Sequence, residues 1–295
     1  MSGTSEIMMT DWYTFALLAF FLLGTQRFFY KVSAEHGCDS TVTAFFFMAT
    51  VAVLSTALCI IRRERIDHGA VLIILALING IAFSVSAVST MEALKRIPTG
   101  IAYPIIRLNT LVVVVFSLIY FGERPTVLQL AGMAMALFAI IYIARFTDAD
   151  GPSVHRRGSG LAFAFLSLLA GAAAAVSSKF AAMNTNILVF IAASYTVSTV
   201  FSLVLRHPFR KARHTASLSA TIIIGLIMGF LNFAGFFAFM TALSTGPLSI
   251  IICITGVYFT VAIALSVLFY RERLTRTRLA GIVLAALSVI FMRLP

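Results

Sequence analysis

The feature that most constrains this chain is a succession of ten long apolar runs. Each is close to the length of about 20 residues that a helix needs to cross the roughly 30 Å hydrocarbon core of a bilayer. Short charged or turn-rich segments separate the runs. The sequence therefore predicts ten membrane spans, near residues 13–34, 41–61, 70–94, 98–120, 126–145, 159–182, 187–205, 216–243, 247–270 and 277–293.

Composition agrees with a chain dissolved mainly in lipid. The protein is 60% hydrophobic and only 11% charged, whereas soluble domains carry about 25% charged residues. Backbone groups in lipid must be satisfied within each segment, so the spans are helices. Runs such as LVVVVFSLIYF (111–121) lack the alternation of a barrel strand. We predict an all-α, multi-pass integral membrane protein of the cell (inner) membrane, with the lipid bilayer as its main partner.

Several function classes find no support in the residues. The three cysteines, Cys38, Cys59 and Cys253, have no CxxC spacing, and the five histidines lie in loops or at segment ends. No metal cluster, Ser-His-Asp arrangement or GxxxxGK[ST] motif can be argued, so we expect no cofactor, no metal and no enzyme activity. The net charge of +11 lies mainly between the spans, where it orients helices, so no nucleic-acid partner is expected.

The chain contains an internal duplication. At a shift of 149 residues, about 16 of the 51 positions in 91–141 are identical to their counterparts. Lys31 meets Lys179 at a shift of 148. The predicted organisation is a tail (1–12), a first five-helix repeat (13–147), a linker (148–158) and a second five-helix repeat (159–295).

An odd number of spans per repeat has a consequence for topology. The second copy must enter the membrane facing the opposite way. Two inverted-topology repeats related by an axis in the membrane plane are typical of secondary transporters, whose solute site lies near the midplane between the repeats. The predicted function is alternating access to a small-molecule solute.

Paired motifs carry a resemblance to a known family. YFGERPTVLQLAGMAMALFAI (120–140) and FYRERLTRTRLAGIVLAALSVI (269–290) each place a Glu-Arg turn before a helix that carries Gly about nine residues later. With ALKRIPTGIAYPI and ALSTGPLSIIICI, they resemble the drug/metabolite transporter superfamily in its ten-helix, EamA-type form. The resemblance covers essentially the whole chain and implies small-solute transport, often export, through a cavity lined by both repeats.

Arg107 is the most informative polar residue. It lies about halfway along an apolar span, and its counterpart in the second repeat is Gly256. An arginine at this depth costs about 2.5 kcal/mol on insertion scales, so it is expected to face a protein interior or a watery cavity. Tyr103 shares its helical face, and Pro104 weakens the helix one turn earlier. We predict that Arg107 binds solute or acts in gating, and that Tyr103 contacts solute. The alternative is that Arg107 pairs with a carboxylate such as Glu92, or with a helix-end carbonyl, and only fixes packing.

Other polar residues are assigned either to solute contact or to structural and gating roles. Gln26 and Arg27 in the first span are predicted to contact solute, and so are Asn79, Asn232 and Tyr258, although the asparagines also suit bonding between helices. Structural or gating roles remain for the residues near span ends. Lys31 and Lys179 can extend to the membrane interface, Glu92 can pair locally, and the two glutamates of the Glu-Arg turns can close those turns. With Pro104 inside the fourth span, the residues given structural or gating roles are Pro104, Glu92, Lys31, Lys179, Glu123 and Glu272.

The charge of the first span bears on the cargo. The small four-helix multidrug members of the superfamily use a carboxylate there, whereas this span offers Gln26 and Arg27. An anionic or zwitterionic metabolite is therefore predicted, with lipid-linked or amphipathic cargo as one alternative and a membrane-embedded enzyme as a less favoured one. Fourteen Lys and Arg residues lie in the odd loops and 6 in the even loops and termini. This count places the termini outside, contrary to the family's usual orientation, so the orientation stays open. The sequence also leaves monomer and homodimer open.

Overall fold

The computed structural model describes residues 3–38, 40–65, 68–97, 99–146, 157–205, 218–270 and 276–294. Every regular element within these ranges is a helix. The helices are α1 (Gly3–Glu35), α2 (Ser40–Arg62), α3 (Gly69–Arg96), α4 (Thr99–Tyr120), α5 (Val127–Phe146), α6 (Arg157–Asn184), α7 (Ile187–Leu205), α8 (Leu218–Thr245), α9 (Leu248–Gly256), α10 (Phe259–Tyr270) and α11 (Arg276–Phe291).

These helices form ten spans, because α9 and α10 follow each other within one apolar segment, Leu248–Tyr270. Six segments are long and apolar enough to cross a membrane on their own, and α4, α5, α7 and α11 supply four shorter apolar stretches. The prediction of an all-helical, ten-span membrane protein is confirmed. The ninth span differs from the expectation in being interrupted.

Contacts between helix ends show that the repeats are inverted. Near the start of α1, the hydroxyl of Tyr13 donates to the carbonyl of Val289 near the end of α11, at 2.8 Å. We call this side the termini face. Near the start of α6, a Cβ on Gly160 would lie 2.5 Å from Ile97, which follows α3. The chain crosses the membrane three times between Tyr13 and Ile97, so this contact lies on the opposite side. We call that side the linker face.

Helix pairing follows the same symmetry. The first helix of each repeat packs against the third helix of the other, as α1 with α8 and α6 with α3. The second helices pair with each other (α2 with α7), and so do the fifth (α5 with α11) and the fourth (α4 with α9). Exchanging the repeats reproduces the pattern, as expected for a pseudo-two-fold axis in the membrane plane.

Small residues bring the repeats into close contact. In α8, a Cβ on Gly225 would lie 2.8 Å from the Cβ of Phe46 in α2, and one on Gly229 would overlap Thr50. Without a hydrophobic force between helices in lipid, such close backbone approach is a main source of association. The glycines therefore hold the repeats together around the centre where α4 and α9 meet.

Candidate functional site

The ninth span is interrupted near its middle. The helix α9 ends at Gly256 and α10 begins at Phe259. Between them, the Val257 amide donates to the carbonyl of Ile254 at 3.4 Å, and the Tyr258 amide donates to Thr255 at 3.2 Å. These are three-residue bonds in place of the four-residue bonds of an α-helix. Irregular backbone at membrane depth is found where it is buried in protein or lines a cavity.

The equivalent span of the first repeat is continuous. Helix α4 runs unbroken through Pro104, because one missing hydrogen bond leaves the bonds on either side in place. The interruption lies instead in the repeat that lacks this proline. A Cβ on Gly256 would lie 3.4 Å from Oγ1 of Thr110, so α4 and α9 are in contact one turn beyond Arg107.

Two guanidinium groups meet at the ring of Tyr258. The Cζ atoms of Arg27 and Arg107 each lie 5.4 Å from its centroid. Arg27 also lies 5.1 Å from the ring of Tyr30, and Arg107 lies 5.8 Å from that of Phe259. Each cation–π contact contributes about 0.5–2 kcal/mol, depending on exposure. Since the rings are neutral, they orient the two positive charges without cancelling them.

Glu92 has a partner within its own helix. The carboxylate of Glu92 contacts the guanidinium of Arg96, one turn along α3. Among the acids whose side chains the structure describes, none forms an ion pair with Arg107. The local pair expected around Glu92 is therefore present.

Helix α1 approaches the interruption closely. A Cβ on Gly24 would lie 2.6 Å from the carbonyl oxygen of Tyr258 and 2.6 Å from Cβ of Val261. Gln26, two residues further on, is buried with 2% of its surface exposed, whereas Arg27 is exposed. The first span therefore contributes a guanidinium beside the interruption and a buried amide close behind it.

The two asparagines bond neighbouring helices. The Asn79 amide lies within hydrogen-bonding distance of the Ala174 carbonyl (2.8 Å) and the hydroxyls of Ser177 (3.0 Å) and Ser178 (2.9 Å), all in α6. Asn232 in α8 accepts a bond from the hydroxyl of Tyr195 in α7 at 2.5 Å. Both side chains are buried. These contacts favour the packing reading that the sequence left open.

Lys179 is placed differently from the expectation. It was predicted to extend to the membrane interface, but it is buried, with 7% of its surface exposed. Its Nζ donates to the carbonyls of Leu243 and Gly246, each at 2.7 Å. An ammonium has three donors, so burial is tolerated where carbonyls are concentrated, here at the carboxyl end of α8.

Glu123 bonds outside its own turn. Its carboxylate accepts from the Leu248 amide at 2.6 Å, and from the amide and hydroxyl of Ser249 at 3.0 and 2.5 Å. These amides are the first of α9 and have no partner within the helix. The residue predicted to close the α4–α5 turn thus links that turn to the second repeat.

The remaining predicted residues are only partly described. Lys31 lies 5.0 Å from the ring of Tyr270 near the linker face. The side chains of Tyr103 and Pro104, and the whole of Glu272, lie outside the described part of the chain.

Sequence reasoning missed three aromatic residues near the centre. Tyr30 follows Arg27 by three residues on the same face of α1, a spacing that could have identified it. Phe259 corresponds to Thr110 at the 149-residue shift, and only the interruption brings it to Arg107. Tyr195 lies among aromatic rings, 5.8 Å from Phe83 in α3, and no periodicity distinguishes it from other apolar positions.

Ten spans in two inverted repeats, with an interrupted helix and charges at their centre, define a membrane transporter. The sequence pattern of the EamA-like transporter family matches residues 10–145 and 158–294. The chain belongs to this family, whose members are transporters and not enzymes. A crystal structure of a protein with 15% sequence identity shares the fold over 96% of both chains, with a TM-score of 0.78. No curated protein matches the chain.

Proposed function

We propose that the protein is a secondary-active exporter of a small anionic or zwitterionic metabolite. The observation that supports this most is the pair of guanidinium groups at the ring of Tyr258, beside the interruption of the ninth span. Positive charge at membrane depth is costly and is typically retained for function. A bound carboxylate or phosphate would supply the negative charge that the described acids do not supply to Arg107.

The geometry favours an anion over a cation for electrostatic reasons. At 4 Å, two unit charges interact by about 4 kcal/mol at an effective dielectric constant of 20. Two arginines therefore strongly oppose cation entry and attract an anion. Arginine also offers a planar, forked set of donors that matches carboxylate and phosphate oxygens. The side chain of Tyr258 lies beside both guanidinium groups.

In this proposal one chain is the transport unit. Arg27, Arg107 and Tyr258 belong to α1, α4 and the α9–α10 junction of the same chain, so the site is complete without a second copy. Rocking of the two repeats about their common axis would open it to each side of the membrane in turn. The linker at 148–158 separates the proposed repeats.

The test is counterflow into vesicles that contain the purified protein. The vesicles are preloaded with a defined mixture of carboxylate, phosphate, amino-acid, neutral and cationic metabolites, and labelled members are offered outside. We expect exchange of carboxylates, phosphates or amino acids only. Arg107→Gln and Arg27→Gln should each reduce the rate at least tenfold, since truncating a charged partner costs several kcal/mol.

Arg62→Gln is the matched control, because Arg62 is exposed at the end of α2 and its charge is equally removed. It should exchange at the wild-type rate. Counterflow of cations alone, or wild-type exchange by the folded Arg107→Gln and Arg27→Gln variants, would contradict the proposal. Proteoliposomes with known orientation, loaded on one side, then test whether export is the direction.

A further inference from the structure

Opposite charges hold the turn between α8 and α9 from its two sides. The carbonyls at the end of α8 accept from Lys179, and the first amides of α9 donate to Glu123. Each charge has the sign that the adjacent helix dipole favours. Lys179 belongs to the second repeat and Glu123 to the first. We call Lys179, Glu123 and residues 245–249 the clamp.

A third contact joins the clamp to α1. A Cβ on Gly246 would lie 2.7 Å from Cγ of Trp12, at the start of the first span. Leu248 and Ser249 have no exposed surface, and Lys179 has 7%. The repeats are thus sealed together at the termini face by side chains and backbone groups that satisfy each other.

The other side of the interruption differs. Arg27 lies between Gly24, which contacts the interruption, and Lys31, which contacts Tyr270 at the linker-face end of α10. Arg27 is therefore on the linker side of Tyr258, and its side chain is exposed. We propose that the clamp is the gate of the termini face: it is closed in this structure, and it must open for the central site to be reached from that side.

The lysine of the clamp has a counterpart at the linker face, and each of the two lysines lies near an aromatic ring. Lys31 corresponds to Lys179 at a shift of 148, and Tyr270 corresponds to Phe121 at a shift of 149. The Lys31 ammonium lies 5.0 Å from the ring of Tyr270, and that of Lys179 lies 5.9 Å from the ring of Phe121. A lysine–ring contact at each face is expected of a gate that was duplicated with the repeats.

The test uses Cys253 as a reporter. It is fully buried in α9, one turn beyond Ser249 on the same face. In a Cys38→Ser/Cys59→Ser background, we measure its labelling rate with a water-soluble maleimide. Glu123→Gln and Lys179→Met should each raise this rate about tenfold, because each removes hydrogen bonds to a charged group.

A second reporter distinguishes gating from loosening. Tyr30→Cys, in a background that also carries Cys253→Ser, replaces an exposed residue beside Arg27. If the clamp is one of two alternating gates, the same clamp variants should slow labelling at position 30 while they accelerate it at Cys253. Acceleration at both positions would overturn the proposal, because it would indicate local loosening only.

Glu64→Gln is the control. Glu64 accepts a hydrogen bond of 2.7 Å from Asn186, and this bond joins the loops after α2 and α6. It lies at the termini face but outside the clamp. The variant should leave both labelling rates unchanged. Unchanged Cys253 labelling in monodisperse clamp variants would also overturn the proposal. If those variants fail to fold, the Ser249→Ala variant replaces them, because it removes one hydrogen bond to Glu123. Its labelling rates at Cys253 and at position 30 then test the proposal in the same way. No solute enters the experiment, so the result is independent of the proposed cargo.

Discussion

Gly24 determines how close α1 can come to the interruption of the ninth span. The Cβ of any other residue would lie 2.6 Å from two atoms, and one of them is the backbone carbonyl of Tyr258, which cannot rotate away. Overpacking of this kind costs about 1–3 kcal/mol. The absence of a side chain at position 24 therefore allows Arg27 to reach the ring of Tyr258.

We predict that Gly24→Ala lowers the free energy of unfolding by about 1–3 kcal/mol. Unfolding is followed in mixed micelles of increasing denaturing detergent. Gly158→Ala is the matched control, because a Cβ there would meet no atom within 4 Å. A Gly24→Ala protein as stable as the control would show that α1 can shift at no cost.

The Tyr195–Asn232 pair yields a second prediction at this scale. Tyr195→Phe should destabilise the protein by about 1 kcal/mol, because it leaves the buried oxygen of Asn232 without its donor. The double variant with Asn232→Leu should recover part of that loss. A double-mutant cycle measures the coupling, which in membrane proteins averages about 0.6 kcal/mol. Additive effects would mean that the bond contributes nothing.

Single residues were predicted from the sequence to different extents. Arg27 and Arg107 could be selected because a charge inside an apolar span must have a reason. The burial of Lys179 could not be predicted, because its position near a span end suits an interfacial lysine equally well. Its carbonyl partners belong to a turn 64 and 67 residues away, and no local pattern connects them.

At the scale of elements, Asn79 shows how one side chain can join two helices. Its amide has two hydrogens and three acceptors on α6 within reach. Because α3 and α6 are the third helix of one repeat and the first helix of the other, this bond lies between the repeats.

Asn79→Leu is therefore predicted to cost about 1–2 kcal/mol of stability. In contrast, Asn184→Leu should change the stability little, because the amide of Asn184 is exposed and bonds to the Phe180 carbonyl of its own helix. Unfolding in denaturing detergent compares the two variants. Equal losses of stability in the two variants would show that the bond between the repeats stabilises the protein no more than a bond within one helix.

The spans could be predicted and the interruption could not. Apolar runs of membrane length leave helices as the available structure for the backbone in lipid, so the ten helical spans follow from the length of those runs. The segment TGVYF at 255–259 continues an apolar run without a proline. Its departure from helical bonding depends on packing against α1 and α4, which has no local signature. Conversely, Pro104 predicted a weakened helix, but α4 continues through this residue.

At the scale of the whole molecule, most of the strong helix pairings lie between the repeats. The pairs α1 with α8, α3 with α6, α2 with α7 and α5 with α11 all cross from one half to the other. Each half alone would expose these faces, including the glycine-lined surface of α8. Neither half is therefore a self-sufficient folding unit.

We predict that residues 1–150 and 151–295, expressed as separate chains, are each unstable alone and assemble when produced together. Copurification of the untagged half with the tagged one, followed by gel filtration, tests this. The same two chains purified apart and then mixed serve as the comparison. A monodisperse single half would contradict the prediction, because it would show that contacts within a repeat suffice.

The bond from Tyr13 to the Val289 carbonyl makes the start of the first span a neighbour of the end of the last span. The Arg293 guanidinium also lies 5.7 Å from the Tyr13 ring. A peptide could connect these two span ends, and a new start could be opened at the connection between α5 and α6. The order in which the copies are synthesised would then be reversed while every helix kept its neighbours. Evolution by duplication thus left a molecule whose gene could begin with either copy.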